Sequence, residues 1–208
     1  MEYLRIKNMH DAIVVAFDMC SSSDVIEELI LKDDIERFQK FLGKMKEYLA
    51  GRQRGTAFDP YKFTGDGWIL LFPTDSDGTA LLEFLRDLCV FFKQEFEKDI
   101  LPYLDTPPSI IGLTFGLEKG RIAPMTIFGE TEYIGRALNV ACRLQSAVKA
   151  GDGPPAYKAL ASNTVFNLYL SSAAEYEVSE ASRNLRNIRG GKDFRCREIK
   201  LLNTSWST

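Results

Sequence analysis

The sequence predicts an α+β fold with a ferredoxin-like βαββαβ core and further strands towards its C-terminus. Residues 12–17 (AIVVAF) form a short continuous apolar run, which is typical of a strand buried on both faces. Two apolar segments flank a Gly-Asp-Gly turn at 65–67, as in a β-hairpin. Apolar residues recur at helical spacing over 81–96 and 134–148. Taken in chain order, these signals match the ferredoxin-like arrangement.

The segments between these landmarks complete the predicted order. After the first strand, Ser23 or Asp24 can cap a helix, and helical spacing then runs from about residue 25 to residue 48. The fourth strand of the core is expected to form a second hairpin with a partner that follows it directly. The predicted strands of these two hairpins are 61–63 with 68–72 and 110–117 with 122–127.

The last third of the chain carries weaker signals. Gly151 follows the predicted helix over 134–148 and fits a helix stop. A short helix is predicted near 159–169, and 174–202 is predicted to be mostly strand. Because there is no internal repeat, low-complexity tract or flexible linker, we expect a single domain over residues 1–208.

Composition and charge narrow the classes of protein. The net charge is −3 and the pI is near 5.4, whereas general nucleic-acid binders are usually basic, so no nucleic-acid partner is expected. No apolar run reaches the ~18 residues of a membrane span, and residues 1–9 lack the apolar segment of a signal peptide. We therefore expect a cytoplasmic protein without a membrane partner.

The cysteines and the single histidine exclude further kinds of site. The four cysteines are far apart and form no C-x-x-C pair, which argues against a zinc site or a disulfide framework and favours reduced thiols. His10 is the only histidine, so a catalytic triad or a multi-histidine metal site is not expected. His10 itself is predicted to be structural or exposed.

Two aspartates stand next to predicted strands. Asp18 ends the first apolar strand, and Asp66 lies between two glycines in the hairpin turn. Taken singly, the first fits a helix cap and the second an ordinary turn residue. Adjacent strands of one sheet could bring both carboxylates to one edge, where they would repel each other unless a cation lay between them. Oxygen ligands of this kind favour Mg²⁺ or Mn²⁺.

Polar residues at helices extend this candidate site. Ser21, Ser22 and Ser23 open the first helix, and helix N-termini attract phosphate. Asn139 and Arg143 share one helix face at i, i+4 spacing. Arginine can neutralise a phosphate through two parallel hydrogen bonds, and asparagine can orient a ribose or phosphate oxygen. Taken singly, both residues also fit a solvated helix surface.

Five short segments occur in a fixed order within residues 12–200. They are Phe17-Asp18-Met19, Lys62-Phe63-Thr64-Gly65-Asp66, Gly116-Leu117-Glu118-Lys119-Gly120, Asn139-Val140-Ala141-Cys142-Arg143 and Arg189-Gly190. They resemble the F-x-D-[ILV], K-x-x-G-D, G-x-x-x-G hairpin, N-x-A-x-R and late K-G motifs of class III adenylate and guanylate cyclases. The chain departs from that pattern at Phe17, which lies one place late, and at Arg189, which replaces a lysine.

The resemblance implies an enzyme that converts a nucleoside triphosphate to its 3′,5′-cyclic monophosphate with two divalent metal ions, Mg²⁺ or Mn²⁺. It implies that Asp18 and Asp66 hold the metal ions, with the Met19 carbonyl as a further ligand, and that the amides of residues 20–23 cradle the β- and γ-phosphates. The remaining implied roles are ribose positioning by Asn139, transition-state stabilisation by Arg143, triphosphate binding by Arg189 and base recognition by Lys62 and Glu132. Since phosphoryl transfer depends mainly on positioning and charge, the scarcity of histidine does not argue against such an enzyme.

The resemblance also implies a partner. In this family one site takes its metal aspartates from one subunit and its asparagine, arginine and base-reading residues from the other. A head-to-tail homodimer with two composite sites is therefore expected. Lys62 and Asp66, although four residues apart, would serve opposite sites.

The base that the site accepts stays open between three candidates. Lys62 donates hydrogen bonds and Glu132 accepts them, which suits ATP, CTP or UTP; guanylate cyclases of the family typically carry glutamate at the lysine position. The aromatic residues Tyr61, Phe63 and Trp68 are similar to those of bacterial pyrimidine cyclases of antiphage defence, whose cyclic UMP or cyclic CMP activates a separate effector. This second resemblance favours UTP. The aromatic residues also fit ordinary core or strand positions.

Other functions fit the sequence less well. Residues 190–194 (GGKDF) resemble the signature of diguanylate cyclases, but they lie near the C-terminus instead of in a central hairpin. No Walker A pattern is present, which argues against a P-loop NTPase. A degenerate cyclase domain acting as a nucleotide sensor or dimerisation module is the main non-enzyme alternative. Such domains usually lose a metal aspartate or the Asn/Arg pair, and this chain keeps all four.

Overall fold

One mixed sheet organises the protein. The computed structural model describes residues 9–149, 153–171 and 175–202. The sheet has the order β2-β3-β1-β4-β6-β8-β7, with β5 paired to the far part of β4, and every pairing is antiparallel except that of β4 with β6. The strands are β1 (His10–Met19), β2 (Asp59–Phe63), β3 (Trp68–Phe72), β4 (Leu113–Ile127), β5 (Glu130–Ile134), β6 (Lys158–Ser162), β7 (Glu177–Arg183) and β8 (Phe194–Lys200).

Helices cover both faces of this sheet. Residues Ile13, Val15 and Phe17 of β1 face the larger core, whereas Ala12, Val14 and Ala16 face a smaller cluster. Both faces of β1 are therefore buried, which explains its continuous apolar run. The first three helices contribute to the larger core and the fourth to the smaller cluster. The helices are α1 (Ser22–Leu31), α2 (Ile35–Arg52), α3 (Gly78–Asp99), α4 (Arg136–Val148) and a short α5 (Asn163–Val165) that continues as a π-helical turn, Phe166–Leu170.

The prediction of an α+β fold with a ferredoxin-like core is confirmed. Strand β1, helices α1 and α2, the β2–β3 hairpin, helix α3 and strand β4 follow the βαββαβ order, and their strands form the β2-β3-β1-β4 part of the sheet. The C-terminal strands extend the sheet beyond β4, as expected for the additions.

Three predicted elements differ in the structure. Residues 110–117 and 122–127 do not form a hairpin with each other, because β4 runs unbroken through the G-x-x-x-G segment and turns only at Phe128 and Gly129. The helix predicted over 25–48 is two helices. Asp33, in the left-handed region at φ 56°, ends α1, and aspartate tolerates that conformation better than most residues.

The third difference lies in the last part of the chain. The predicted helix over 159–169 begins instead as strand β6, because Ala159 and Ala161 are fully buried between β4 and β8. Tertiary packing here overrides the helical preference of alanine. The segment predicted as mostly strand contains β7 and β8 joined by a long loop. Gly151 and the start of that segment at residue 174 lie outside the described residues.

Helix α4 packs closely on β4. A Cβ atom at Gly116 would lie 2.0 Å from the Ala141 carbonyl oxygen and 2.3 Å from the Gln145 nitrogen. Such distances exclude any side chain at this position. Gly120 faces α4 less closely, because a Cβ atom at this position would lie 3.3 Å from the Cβ atom of Ala137. The G-x-x-x-G segment therefore has a packing role: it lets a helix lie directly against the backbone of a central strand.

The four cysteines and His10 lie in separate parts of the fold. All four cysteines are free thiols. Burial raises the pKa of the Cys20 thiol to about 11, and the nearby charge of Asp18 acts in the same direction, so this thiol stays protonated at neutral pH. His10 is exposed at the start of β1, where its ring meets the edge of Tyr133.

A buried tyrosine offers a test of the packing. Tyr157 is fully buried before β6, and its hydroxyl has no hydrogen-bond partner among the described residues. We expect Tyr157→Phe to raise the free energy of unfolding by about 1 kcal/mol, because it removes an unpaired polar atom and keeps the ring. Thermal melting should shift upward by roughly 2–4 °C. Tyr157→Leu, which also removes ring volume, should lower stability instead; a destabilised phenylalanine variant would contradict the argument.

Candidate active site

The two predicted metal aspartates meet at one edge of the sheet. Asp18 is the next-to-last residue of β1, and Asp66 lies in the turn between β2 and β3. Two glycines position the turn. Gly65 adopts φ 107°, and a Cβ atom at Gly67 would lie 1.9 Å from the Phe17 carbonyl oxygen. Only a glycine lets the turn approach β1 this closely, which is why the aspartate stands between two of them.

The two carboxylates interact directly. Burial raises the pKa of the Asp18 carboxyl to about 6, and both its hydrogen bond with Asp66 and the charge of Asp66 act in the same direction. The Lys149 ammonium, 3.2 Å from Asp18 Oδ2, opposes that rise. Two carboxylates this close together favour a cation between them over two bare negative charges.

The donor set fits a hard divalent cation. Both side chains offer oxygen atoms, which Mg²⁺ and Mn²⁺ prefer. Among the described residues no group of three or more His, Cys, Asp or Glu side chains could hold a metal ion. The pair alone would leave several coordination positions for backbone, water or substrate oxygens, as Mg²⁺ commonly requires. Met19, predicted as a backbone ligand, is the residue after Asp18 and its side chain is buried in the core.

The predicted serines lie beside the aspartates. Ser22 begins α1, and its hydroxyl donates a hydrogen bond to Asp66. Ser21 precedes the helix in the left-handed conformation, at φ 55°, and Ser23 is exposed in the first turn. The start of α1, where backbone N–H groups have no helical partner, therefore adjoins the carboxylate pair.

Helix α4 lies across the same part of the sheet. A cleft of about 290 Å³ is lined by both aspartates and by Cys142, Gln145 and other residues of α4 and the hairpin. Asn139 and Arg143 are not part of its lining and are exposed on α4. The structure thus places the predicted Asn/Arg pair on the helix next to the carboxylates of its own chain, but not in their cleft.

The predicted base-reading residues form an ion pair. Lys62 Nζ lies 2.5 Å from Glu132 Oε1. This ion pair joins β2 to β5. The hydrogen bond with Glu132 raises the pKa of Lys62, and that same bond lowers the pKa of Glu132. Tyr61 donates a hydrogen bond to the other oxygen of Glu132 and accepts one from the Tyr133 amide at 3.0 Å. The carboxylate is thereby held on both sides.

The three aromatic residues near this pair have different surroundings. Tyr61 donates a hydrogen bond to Glu132. Trp68 is buried in the larger core, where its ring centroid lies 5.6 Å from that of Phe17, and it is one of the residues that line the cleft of the aspartates. Phe63 is half-exposed and packs on Trp68. Of the three, Tyr61 is the one for which the structure gives a hydrogen bond to the Lys62–Glu132 pair.

Arg189 lies in the loop between β7 and β8. Its carbonyl accepts a hydrogen bond of 3.4 Å from Arg136, the first residue of α4. Arg189, which is predicted to bind the triphosphate, thus lies near the start of the helix that carries Asn139 and Arg143. It is not among the residues that line the cleft of the aspartates.

Two features of the site had no signal in the sequence. Gln145 is buried and donates to the Thr114 hydroxyl at 2.8 Å, and Thr114 donates to the Asp18 carbonyl at 3.3 Å. This chain of hydrogen bonds ties α4 to the strand of Asp18. Lys149, one turn beyond Gln145, reaches the Asp18 carboxylate. The i, i+4 spacing of these two residues is ordinary for any helix surface.

Comparison with solved structures shows what the fold resembles. The guanylyl cyclase Cya2 has a TM-score of 0.68 and 14% identity, with 96% of each chain covered. The adenylyl cyclase CyaB from P. aeruginosa has a TM-score of 0.66 and 16% identity, covering 97% of this chain and 99% of its own. An adenylate/guanylate cyclase/hydrolase from Silicibacter pomeroyi has a TM-score of 0.64 and 21% identity, covering 92% and 97%.

These likenesses extend over nearly the whole chain and show its fold, which is that of class III nucleotide cyclase catalytic domains. No protein-family model and no curated protein sequence matches the chain. Within the described part of the chain, no helix is both long and apolar enough to cross a membrane.

Proposed function

We propose that this protein is a nucleotide cyclase, which converts a nucleoside triphosphate to its 3′,5′-cyclic monophosphate and pyrophosphate. The observation that carries the proposal is the meeting of Asp18 and Asp66 beside the start of α1, within a fold shared with adenylyl and guanylyl cyclases. A fold alone does not assign chemistry. A carboxylate pair next to a helix N-terminus adds the means to hold cations and phosphates together.

The carboxylate pair would hold two divalent ions, Mg²⁺ or Mn²⁺. When bound, they would lower the pKa of the substrate's 3′-hydroxyl and neutralise charge on the leaving pyrophosphate. Ser22 fixes Asp66 through its hydroxyl, and Thr114 fixes the backbone of Asp18. Both aspartates are therefore oriented before a ligand arrives, which lowers the cost of reorganisation.

The remaining residues would bind and align the substrate. The backbone amides near Ser21, Ser22 and Ser23 would receive the β- and γ-phosphates at the start of α1. Arg143 would stabilise the charge that develops at the α-phosphate, and Asn139 would orient the ribose. Arg189 would bind the triphosphate.

A head-to-tail homodimer would complete each site. Asn139 and Arg143 lie outside the cleft of their own chain's aspartates, on an exposed helix surface from which they can reach a second subunit. The β4–β5 hairpin carries exposed apolar residues Ile127, Phe128 and Ile134. Phe128 is fully exposed at φ 52°, an uncommon conformation for a bulky residue. Exposed apolar side chains of this kind favour a subunit contact.

Two variants placed in different chains test the composite site. A heterodimer of Asp66→Ala with Arg143→Ala should keep about half of the wild-type activity per dimer, because one of its two sites retains every residue. The matched control pairs wild type with the double variant, which places both substitutions in one chain and damages both sites. Co-expression with two affinity tags isolates each heterodimer. Activity in the control but not in the first heterodimer would show that each site lies within one chain.

The substrate base is proposed to be uracil. The Lys62 ammonium can donate to O4 of uracil while Glu132 accepts from N3–H. Tyr61 takes up space beside this pair that a larger base would need, and its hydrogen bond holds Glu132 in place. Cytosine and adenine offer the same pair a comparable donor and acceptor, so CTP and ATP are the alternatives. A cyclic pyrimidine nucleotide would act as a second messenger for a separate effector protein, as in antiphage defence.

Product analysis tests both levels of the proposal. The purified protein is incubated with Mn²⁺ and with ATP, GTP, CTP or UTP in separate reactions, and products are identified by mass spectrometry. Cyclic UMP as the main product is the expected result. Cyclic CMP or cyclic AMP would keep the cyclase and correct the base, whereas metal-dependent nucleotide binding without any cyclic product would favour a sensor domain.

A further inference from the structure

Lys149 contacts the proposed metal site from a position that the sequence motifs do not include. It follows the last residue of α4, and its Nζ lies 3.2 Å from Asp18 Oδ2. The ammonium is partly exposed and the carboxylate largely buried, with side-chain exposures of 42% and 24%. The contact crosses 131 positions of sequence, so it depends on where α4 is placed over the sheet.

The placement of α4 makes this contact a built feature. The Gln145–Thr114–Asp18 hydrogen bonds fix the last turns of α4 relative to β1. Gly116 brings the helix into direct contact with the β4 backbone. Lys149 therefore starts from an anchored point one turn beyond Gln145, and its flexible side chain spans the remaining distance to the carboxylate.

We propose that Lys149 is a tethered counter-ion that competes with the divalent cation for Asp18 and so sets the cation concentration at which the site fills. The inference rests on the proposed function, since it takes the aspartates as metal ligands. A divalent ion bound to this carboxylate would share it with the Lys149 ammonium. An ammonium on the same group would then repel it, so the lysine must move away as the ion binds.

The competition has a benefit for the folded protein. Two adjacent carboxylates destabilise the fold when neither a proton nor a cation lies near them. The single charge of Lys149 offsets part of that repulsion, and its partial exposure keeps the contact weak enough for displacement. The displaced ammonium stays attached to the end of α4, close to Asp18, where its charge is compatible with a bound triphosphate.

Direct cation binding tests this inference without an activity assay. Mn²⁺ is titrated into the protein of residues 1–208 in the absence of nucleotide, and free Mn²⁺ is measured by electron paramagnetic resonance. Lys149→Met, which keeps the length of the side chain and removes its charge, should bind Mn²⁺ about three- to tenfold more tightly than wild type. Lys149→Arg should stay near the wild-type affinity. Lys46→Met, on the exposed surface of α2, is the matched control and should also bind like wild type.

Thermal melting gives an independent measurement. In EDTA, Lys149→Met should melt below wild type, because the aspartate pair has lost its counter-charge; in saturating Mn²⁺ the two should melt together. Equal Mn²⁺ affinity of wild type and Lys149→Met, or a constant melting difference in both solutions, would overturn the proposed role of Lys149. Neither result would contradict the metal site itself. If neither protein binds Mn²⁺, the metal site itself is contradicted, and the proposed function loses its basis together with this inference.

Discussion

Replacing Asp66 with alanine should lower the rate of cyclic nucleotide formation at least about a thousandfold. The substitution removes one of two side chains proposed to hold the divalent ions, and without them the 3′-hydroxyl is a poor nucleophile at neutral pH. The turn itself should persist, because Gly65 and Gly67 determine its backbone and Asp66 contributes only its side chain. Initial rates with UTP and Mn²⁺, measured over a range of Mn²⁺ concentrations, give the size of the effect.

Two further variants make this result specific. Asp66→Asn can still accept the hydrogen bond from Ser22 but lacks the charge, so it should be almost as inactive as the alanine variant. Asp75→Ala removes an exposed aspartate from the loop after β3 and should leave the rate unchanged. Circular dichroism and size-exclusion chromatography check that each variant keeps its fold and assembly. Near-wild-type turnover by Asp66→Ala would refute the metal assignment.

Arg143→Ala should lower kcat by roughly a hundred- to a thousandfold while KM changes only a few-fold. The proposed role of this guanidinium is to stabilise charge that is larger in the transition state than in the bound substrate, so its loss affects turnover more than binding. Arg143 is exposed on α4, and its removal leaves no cavity in the core. Stability should therefore stay within about 0.5 kcal/mol of wild type.

The control for this variant separates charge from geometry. Arg143→Lys keeps the charge but cannot make two parallel hydrogen bonds to one phosphate, so it should recover only part of the lost rate. Arg54→Ala removes an exposed arginine from the turn after α2 and should have no effect. A rise in KM equal to the fall in kcat/KM, with kcat unchanged, would indicate that Arg143 only binds the ground-state triphosphate.

The parts of the site that could be predicted have local causes. Asp18 follows a strand whose apolar run is easily recognised, and Asp66 stands in a turn that its two glycines specify. The pairing of adjacent strands then brings both residues to one edge, which the predicted order of elements already implies. The i, i+4 positions of Asn139 and Arg143 likewise depend on nothing beyond the helix that carries them.

The parts that could not be predicted depend on distant contacts. Lys149 reaches Asp18, and Tyr61 reaches Glu132, only because the sheet and α4 bring separate segments together. The continuity of β4 was missed for a related reason. Its glycines looked like a turn in the sequence, but Gly116 is required by a helix that packs against it from a later part of the chain. A glycine by itself does not distinguish a turn from a close approach.

The direct contact at Gly116 restricts how the protein can move. Neither backbone can slide over the other without a collision, and the buried Gln145–Thr114 hydrogen bond opposes a tilt of the helix. Within one subunit, the end of the sheet that carries Asp18 and Asp66 and the helix that carries Arg143 therefore form a single rigid body. In the proposed dimer, a site can tighten around its substrate only when one subunit rotates against the other. Because the two sites share both bodies, closing one must change the opening of the other.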